Sequence, residues 1–437
     1  MKRTILLILM LMLFISPADA EEIISKGELI TLERAIGIAL LRHPSILAAK
    51  GTVDVNQAKK GQAESGYYPQ LAASAGYSRQ QASTISTGTT TVGIGKRVET
   101  SHSFEQYSTS VSASQMLFDF GKTRTQVRVQ KNYVDASRSD LENIEEQVIF
   151  NVKQSYYDCL RAKRNRVVAE EAIRQYEQQL AQAKAFYEVG TRPKFDVTKA
   201  EVDLSNARLA LLRVDNNLSI FFVNLNNAMG VPDAPQYMLD EHPFQPKAVV
   251  SVEEAYKMAL ENRPDLMALT SRKKAAEESV ALAQKGYFPF LTGNAGWTWA
   301  GEAGQFASGD GWNAGVTLSV PIFTGFLTKN QVAEAKATQS VISANEEALK
   351  QNVMLEVQQA YINIKEAAER ITVAALTVQQ ATENFEIATG RYSAGVGNPI
   401  EVTDAEVALS RAKLSHNEAL YDYVIAVASL DKAIGIR

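Results

Sequence analysis

The chain has 437 residues, 46% of them hydrophobic, and a formal net charge of −4 at neutral pH. This slightly negative charge argues against nucleic acid as a partner, because nucleic-acid-binding domains carry basic surfaces. The single cysteine, Cys159, excludes an intrachain disulfide, and the four histidines have no metal-ligand spacing. We therefore expect no metal and no cofactor.

Residues 1–20 have the pattern of a secretory signal peptide. Met1-Lys2-Arg3 is followed by an apolar run over residues 5–15 and then by Ala18-Asp19-Ala20, an Ala-x-Ala cleavage site. A short membrane anchor is the alternative, although the run is too short to span a bilayer. No later stretch approaches the roughly 20 apolar residues of a membrane helix, so contact with a membrane requires a closed barrel or a surface association.

The rest of the chain contains two structural repeats, residues 21–230 and 251–437, joined by a proline-rich connector at 231–250. Tyr187 and Gly190 recur 205 positions later as Tyr392 and Gly395. A repeat of this length predicts a duplicated structural unit.

Each repeat begins with short helices, predicted at residues 29–66 and 251–286. Thr31 and Ser251 stand at N-cap positions, and Pro44 and Pro264 restart the helix within each segment.

A period of two then replaces the helical period. Four segments alternate apolar residues with small polar ones, which fits transmembrane β-strands, with a water-soluble sheet as the alternative. The Ser-, Thr- and Gly-rich segments 79–106 and 300–311 are expected to be exposed loops. The predicted strands cover residues 69–79, 107–118, 289–299 and 312–323.

Aromatic residues lie on these strands away from their helical ends, where a membrane-interface girdle is expected. They are Tyr77, Tyr107, Trp297, Trp299 and Trp312.

Two long helical hairpins follow the strands, at residues 123–230 and 328–435. The first arm of the first hairpin has neither proline nor glycine over 67 positions, and the second arm repeats apolar residues at spacings of three and four. This pattern predicts a coiled-coil seam. A 67-residue helix is about 100 Å long, so we expect the hairpins to span a distance.

Four strands cannot close a barrel, and an open sheet edge cannot face lipid. Copies of the chain must therefore share strands. Two copies supply eight strands and a barrel filled by side chains, whereas three supply twelve strands and an open lumen.

The strand junctions Gly66-Tyr67-Tyr68-Pro69 and Gly286-Tyr287-Phe288-Pro289, together with the hairpin turns, resemble the TolC family of bacterial outer-membrane efflux and secretion channels. The resemblance implies an α+β membrane protein that forms a homotrimer. Its twelve-stranded β-barrel in the outer membrane would be continuous with a periplasmic α-helical barrel.

The same resemblance implies a passive exit channel of a tripartite efflux pump or a type I secretion system. An inner-membrane pump would deliver substrates through a periplasmic adaptor (membrane fusion) protein, and outer-membrane lipid would surround the strands.

Candidate gate residues follow the second hairpin turn. Glu401 and Asp404 are three positions apart and share a helix face, so three copies would converge six carboxylates that favour cations. The resemblance supports an acidic pore gate here. The alternative is that acidic residues near a helix N-terminus complement its dipole.

The resemblance also implies gate-stabilising contacts by Tyr392 and Asp196. The arginine of the family's second turn is replaced by Gly397, and Arg192 or Lys194 is a possible substitute. Adaptor docking is implied for the turn residues, with ordinary turn chemistry as the alternative. The docking residues are Gly190, Thr191, Gly395 and Val396.

A second function stays open at this point: a secreted coiled-coil protein that bridges partners in the envelope without a pore. An enzyme is not expected, because no nucleophile–base pair, metal cluster or phosphate loop is shared by the repeats.

Overall fold

The computed structural model describes residues 24–85, 99–241, 250–302 and 309–436. The predicted signal peptide, residues 1–20, lies outside this part of the chain. Two compact units are present, which we name the helical unit and the sheet unit. The helical unit consists of the described residues within Met1–Gly51, Ser139–Met267 and Ala348–Arg437, and the sheet unit of those within Thr52–Arg138 and Ala268–Glu347.

The elements follow one another in an order that repeats once. They are β1 (Leu29–Ile30), α1 (Leu32–Arg42), α2 (Pro44–Glu64), β2 (Gln70–Ile85), β3 (Glu99–Phe118), α3 (Lys122–Glu188), α4 (Lys194–Met229), β4 (Met238–Leu239), α5 (Val252–Asn262), α6 (Pro264–Gln284), β5 (Phe290–Glu302), β6 (Gly309–Ser319), α7 (Leu327–Ser393) and α8 (Pro399–Ala433).

The short helices of each repeat are interrupted before proline. His43 and Arg263 adopt extended backbone conformations, with ψ of 125° and 123°, because a following proline disfavours the helical region. The side chains of Thr31 and Ser251 cap the helices that begin after them, as predicted. Each second helix ends in a 3₁₀ turn, at Ser65–Tyr67 and Lys285–Tyr287.

The sheet unit contains an antiparallel four-stranded sheet in the order β2-β3-β5-β6. Side chains on one face are mostly apolar, and those on the other are mostly serine, glycine, threonine and asparagine. We name these the apolar face and the small-polar face. Within the described residues, the outer edges of β2 and β6 have no strand partner.

The strands differ from their predicted limits. β2 continues to Ile85 and β3 already begins at Glu99, inside the segment predicted to be a loop, because the two segments still pair as antiparallel strands there. β5 and β6 likewise extend to Glu302 and back to Gly309. At the other end, β6 stops at Ser319 rather than at 323, because Pro321 has no N–H to donate.

Two equivalent glycines pack against the starts of the long helices. A Cβ on Gly66 would lie 2.9 Å from the Thr123 methyl carbon, and one on Gly286 would lie 2.9 Å from the Thr328 methyl carbon. Neither position has room for a side chain in this packing. This contact accounts for glycine at both strand junctions.

The helical unit has two equivalent hydrophobic cores. α3 and α7 are both 67 residues long, and several residues of the two cores correspond at an offset of 205. Cys159 is fully buried in the first core, where it packs as a small apolar residue, and burial raises the pKa of its thiol. The matching pairs are Val148 and Val353, Val152 and Val357, Cys159 and Ile364, and Leu225 and Leu430.

A small parallel sheet was missed by sequence reasoning. Leu29–Ile30, placed in a predicted helix, pairs with Met238–Leu239, placed in a connector predicted to be irregular. The Tyr156 hydroxyl lies 3.0 Å from the Ile30 carbonyl oxygen and 2.8 Å from that of Asp240, so it donates to the chain at this sheet. The connector residues 242–249 lie outside the described part of the chain.

No helix among the described residues is both long enough and apolar enough to cross a membrane.

Candidate functional site

The two hairpin turns are the first candidate site. We name residues 189–193 the first tip and residues 394–398 the second tip. Gly190 and Gly395 adopt the left-handed conformation, with φ of 75° and 80°, which reverses the chain after each long helix. The four candidate docking residues, Gly190, Thr191, Gly395 and Val396, are all exposed, and Val396 is 71% exposed.

Arg192 connects the first tip to the second. Its Nη2 donates to the carbonyl oxygens of Gly395 at 3.1 Å and Gly397 at 2.9 Å. Its guanidinium carbon also lies 5.5 Å from the centre of the Tyr392 ring. A planar guanidinium presents several donors in a fixed arrangement, so it suits two neighbouring carbonyls. Arg192 and Lys194 were the two possible substitutes for the arginine missing at Gly397, and Arg192 is the one that makes these contacts.

Gly397 occupies the position where the resembled family has arginine. A Cβ here would lie 2.7 Å from the backbone nitrogen of Tyr392 and 2.9 Å from the carbonyl carbon of Arg391. These are backbone atoms, which cannot rotate away. The second tip therefore excludes a side chain at this position, and its repeat equivalent, Arg192, supplies the guanidinium from the other tip.

Tyr392 and Asp196 lie in the same buried region. Tyr392 is 1% exposed and packs with Val402, Ala405 and the edge of the Phe186 ring. Burial, followed by the charge of Asp196, raises the pKa of the Tyr392 phenol, and the charge of Arg192 opposes this.

Tyr392 and Asp196 do not form a hydrogen bond with each other in this structure. Among the described residues, the Tyr392 hydroxyl and Oδ2 of Asp196 are both buried without a hydrogen-bond partner. Leaving a buried polar group unpaired costs about 1–3 kcal/mol. The structure thus brings the two side chains into one cluster and leaves hydrogen-bonding capacity on each.

Glu401 and Asp404 are exposed on α8 just after the second tip. Oε2 of Glu401 lies 3.6 Å from Nε of Arg391, so part of its charge is balanced. Their repeat equivalents differ: Asp196 is buried, and Lys199 donates to Asp203 at 2.6 Å. Only the second hairpin therefore presents two exposed carboxylates at these positions.

A buried acid near the gate candidates was missed by sequence reasoning. Glu406 is 3% exposed and accepts a hydrogen bond from Ser410, while its other oxygen has no partner among the described residues. Burial raises its pKa to about 6, although Ser410 and Lys413 oppose the shift. One sequence feature could have indicated its burial. Glu406 directly follows Ala405, a residue of the heptad seam, so it lies at the edge of the surface that α8 packs against other helices.

The sheet unit holds the second candidate site, the five aromatic residues. The strand register places all of them on the apolar face: Tyr77 is opposite Tyr107, and Trp297 lies between Val111 and Trp312. The Tyr77 and Tyr107 rings are 5.1 Å apart, and the Trp297 and Trp299 rings are 6.0 Å apart.

Charged residues lie next to these aromatics on the same face. Arg79 follows Tyr77, Glu105 precedes Tyr107, and the two charges lie 4.0 Å apart. On β6, Asp310 precedes Trp312 and lies opposite Trp299. Aromatic rings and charges therefore occur together at this end of the apolar face.

The described residues contain no group of three or more His, Cys, Asp or Glu side chains arranged to hold a metal ion.

Comparison with known proteins places the chain in a family. The family model described as "Outer membrane efflux protein" matches residues 35–231 and 255–436, which is most of the chain. The chain belongs to the outer membrane efflux protein family. The resemblance inferred from the strand junctions and tips is therefore confirmed.

Individual relatives agree with this membership. The outer membrane protein TolC of Vibrio cholerae serotype O1 is 27% identical over 66% of this chain and 67% of its own length. The outer membrane efflux protein BepC of Brucella suis biovar 1 is 23% identical over 93% and 85%. The CmeC outer membrane channel of Campylobacter jejuni has the same fold, with a TM-score of 0.77 and 20% identity over 92% of this chain and 85% of that one.

As a member of this family, the protein is an outer-membrane exit channel for efflux and is located in the cell outer membrane. The family consists of channel and efflux proteins rather than enzymes. A coiled-coil protein that bridges partners without a pore does not account for this match.

Proposed function

We propose that three copies of this chain form the exit duct of a tripartite efflux pump or a type I secretion system. The observation that supports a trimer is the four-stranded sheet, whose β2 and β6 edges have no partner among the described residues. An open edge is not tolerated in lipid, and twelve strands from three copies close a barrel with a lumen. Conduction is passive, and no catalytic step is required.

The apolar face of the sheet is the proposed lipid-facing surface. Its aromatic residues are Tyr77, Tyr107, Trp297, Trp299 and Trp312; the charges of Arg79 and Glu105 follow the tyrosine pair, and Asp310 lies opposite Trp299. Aromatic girdles mark the two interfaces of outer-membrane barrels, and charge begins outside them. The small-polar face then lines the lumen.

The assembly is tested by native mass spectrometry of the detergent-purified protein, combined with conductance in planar bilayers. We expect a trimer that forms ion-conducting pores. A monomer that stays dissolved without detergent, with its β-structure folded by circular dichroism, would contradict the trimer and favour the envelope-bridging function.

We further propose that Glu401 and Asp404 line the pore gate and that Tyr392 and Asp196 stabilise its closed form, with Arg192 in place of the missing arginine. The support is the pair of exposed carboxylates on α8 and the hydrogen bonds from Arg192 to the second tip. Tyr392 and Asp196 are buried in one cluster beside Arg192, each with an oxygen that has no hydrogen-bond partner among the described residues.

The two tips are the proposed docking surface for a periplasmic adaptor, which connects the duct to an inner-membrane pump. Their glycine turns are exposed, and Val189 and Val396 are each 71% exposed. Exposed apolar side chains at a turn suit burial against a partner protein.

Docking and conduction are separable by one pair of variants. We expect Val396→Glu to abolish efflux in cells while its conductance in bilayers is unchanged. Val373→Glu, at a valine on α7 away from the tips that is 65% exposed, should keep both. Normal efflux by Val396→Glu would contradict the docking role.

A further inference from the structure

A groove in the sheet unit lies outside the candidate sites described above. It has a volume of about 880 Å³ and forms where the strands meet the helices, between the end of α2, the start of α3 and the end of α6. Ligand sites in proteins are typically 300–1,000 Å³, so the groove has room for a small organic molecule.

The charges that line the groove are unequal. Lys59, Lys122 and Lys285 face a single carboxylate, Asp119. That carboxylate is already engaged: it accepts from the backbone N–H groups of Gly121, Lys122 and Thr123 at 2.6–3.1 Å. These hydrogen bonds to the ionised form lower the pKa of Asp119 against the effect of its partial burial.

The lysines keep most of their charge available. Lys285 donates to the Phe120 carbonyl oxygen at 2.7 Å, and that acceptor is uncharged. Among the described residues, neither Lys59 nor Lys122 has a carboxylate within ion-pair distance. Three ammonium groups without a carboxylate partner therefore border one groove.

An aromatic surface adjoins these charges. Phe288 lines the groove and stacks on Phe120, with ring centres 5.4 Å apart and an angle of 17° between the rings. Phe288 is 48% exposed, so its ring is accessible to a ligand. A flat ring beside ammonium groups suits an anion that carries an apolar or aromatic part.

The register shows which side of the sheet the groove opens on. Met116 and Phe290 line it, and Met116 is opposite Thr292, on the small-polar face with Ser114 and Asn294. If the proposed function is correct, this face lines the lumen, so the groove borders the path of the exported substrate.

We propose that this groove is a lumenal binding site for amphiphilic organic anions, molecules with a phosphate, sulfonate or carboxylate group attached to an apolar ring. Lys59, Lys122 and Lys285 bind the anionic group, and Phe288 contacts the ring. The inference rests on the proposed function for the lumenal placement, whereas the binding chemistry rests on the groove itself.

The test is calorimetric titration of the full-length protein in lipid nanodiscs with 1-naphthyl phosphate. Inorganic phosphate and 1-naphthol serve as separate probes for the anion and the ring, and each should bind at least tenfold more weakly. Lys59→Gln with Lys122→Gln should weaken binding of 1-naphthyl phosphate about tenfold or more, because two charge-assisted contacts are lost. Both lysines are exposed and unpaired, so the double variant should fold.

Lys60→Gln is the matched control. Lys60 is adjacent to Lys59 on α2 but pairs with Glu64 at 2.9 Å and does not line the groove, so its loss should leave affinity unchanged. Equal affinity for the double variant and the control would overturn the site, as would equal affinity for 1-naphthol and 1-naphthyl phosphate.

Bilayer recordings separate this inference from the proposed function. Wild-type pores should be blocked by 1-naphthyl phosphate, and the double variant should need about tenfold more of it. Pores that form normally but are blocked equally in both proteins would overturn the inference and leave the channel intact. Binding in a preparation that forms no pores would overturn the lumenal placement together with the proposed function.

Discussion

The two hairpin tips occupy equivalent positions in a duplicated chain, yet their chemistry differs. At one pair of equivalent positions the first tip has Arg192 and the second has Gly397, and the arginine donates to the carbonyl of that glycine. At another, Asp196 is 5% exposed whereas Glu401 is exposed and next to Arg391.

This difference shows that, in a duplicated chain, the hydrophobic cores stay similar while the tips can diverge. The cores around Val152 and Val357 share several equivalent apolar residues, because both hairpins need a similar helix contact. The tips have no such shared constraint. One tip now supplies the donor side chain and the other supplies the acceptor backbone and the exposed acids.

The largest effect is expected from giving the second tip a side chain at the position where the first tip has one. In Gly397→Ala, the new Cβ would lie 2.7 Å from the Tyr392 backbone nitrogen, which forces the turn to move. We expect about 3 kcal/mol of local destabilisation, at the upper end of overpacking costs. Hydrogen exchange of residues 391–398 measures it.

Gly390→Ala is the control for this substitution. Gly390 lies in α7 with open space around it, so alanine should stabilise the helix by about 0.5–1 kcal/mol. Unchanged exchange at the second tip in Gly397→Ala would show that the tip does not need glycine there.

The next effect comes from removing the donor. Arg192→Ala loses both hydrogen bonds to the second tip, and a loss of about 2 kcal/mol changes the ratio of closed to open tips roughly thirtyfold. We expect higher single-channel conductance in planar bilayers. Lys194→Ala, which removes a nearby exposed charge, should behave like the wild type. If both variants conduct alike, Arg192 does not hold the tips together.

The repeats and the hairpins could be predicted from the sequence because they extend over many residues and leave a regular pattern in it. A run of 67 residues without glycine or proline leaves few alternatives to a long helix, and α3 has that length. Short or weakly patterned elements were harder to predict from the sequence. The pairing of Leu29–Ile30 with Met238–Leu239 has no period to detect, and the Ser- and Thr-rich ends of β2 and β3 read equally well as loop.

The sequence could not assign the contacts of long or buried polar side chains. Arg192 and Lys194 were equal candidates, because the reach of a flexible side chain depends on the backbone of the other tip. Glu406 was indistinguishable from an exposed surface acid, since Glu201, its repeat equivalent, is one. Three-dimensional packing of α8 on α3 is what buries one and not the other.

Glu406, which is buried while its repeat equivalent Glu201 is exposed, should have a smaller, pH-dependent effect on stability. The pKa of Glu406 is raised to about 6 from 4.5, so the folded state disfavours the carboxylate, and stability is lost as pH rises from about 4.5 through 6. The loss is at most about 2 kcal/mol at neutral pH. Glu406→Gln should remove this loss and raise stability at pH 7.5 but not at pH 4, measured by chemical denaturation in detergent.

Glu201→Gln is the matched control, because Glu201 is exposed and lies 3.9 Å from Lys184. It should change stability little at either pH. A Glu406→Gln variant with the pH dependence of the wild type would show that Glu406 is not the titrating group.

The smallest effect is expected from neutralising the exposed acids that distinguish the second hairpin. Asp404→Asn should lower the cation-to-anion permeability ratio more than Glu401→Gln, because Arg391 already balances part of the Glu401 charge. Reversal potentials under a salt gradient measure the ratio.

The combined variant should approach the selectivity of a neutral pore, while Glu383→Gln, at another exposed acid of α7, should not. Because salt screens exposed charges, the difference should shrink at 1 M salt. If the combined variant keeps the cation selectivity of the wild type, Glu401 and Asp404 do not set it. Their role would then be to complement the dipole of α8, and the charges that select cations would lie elsewhere along the lumen.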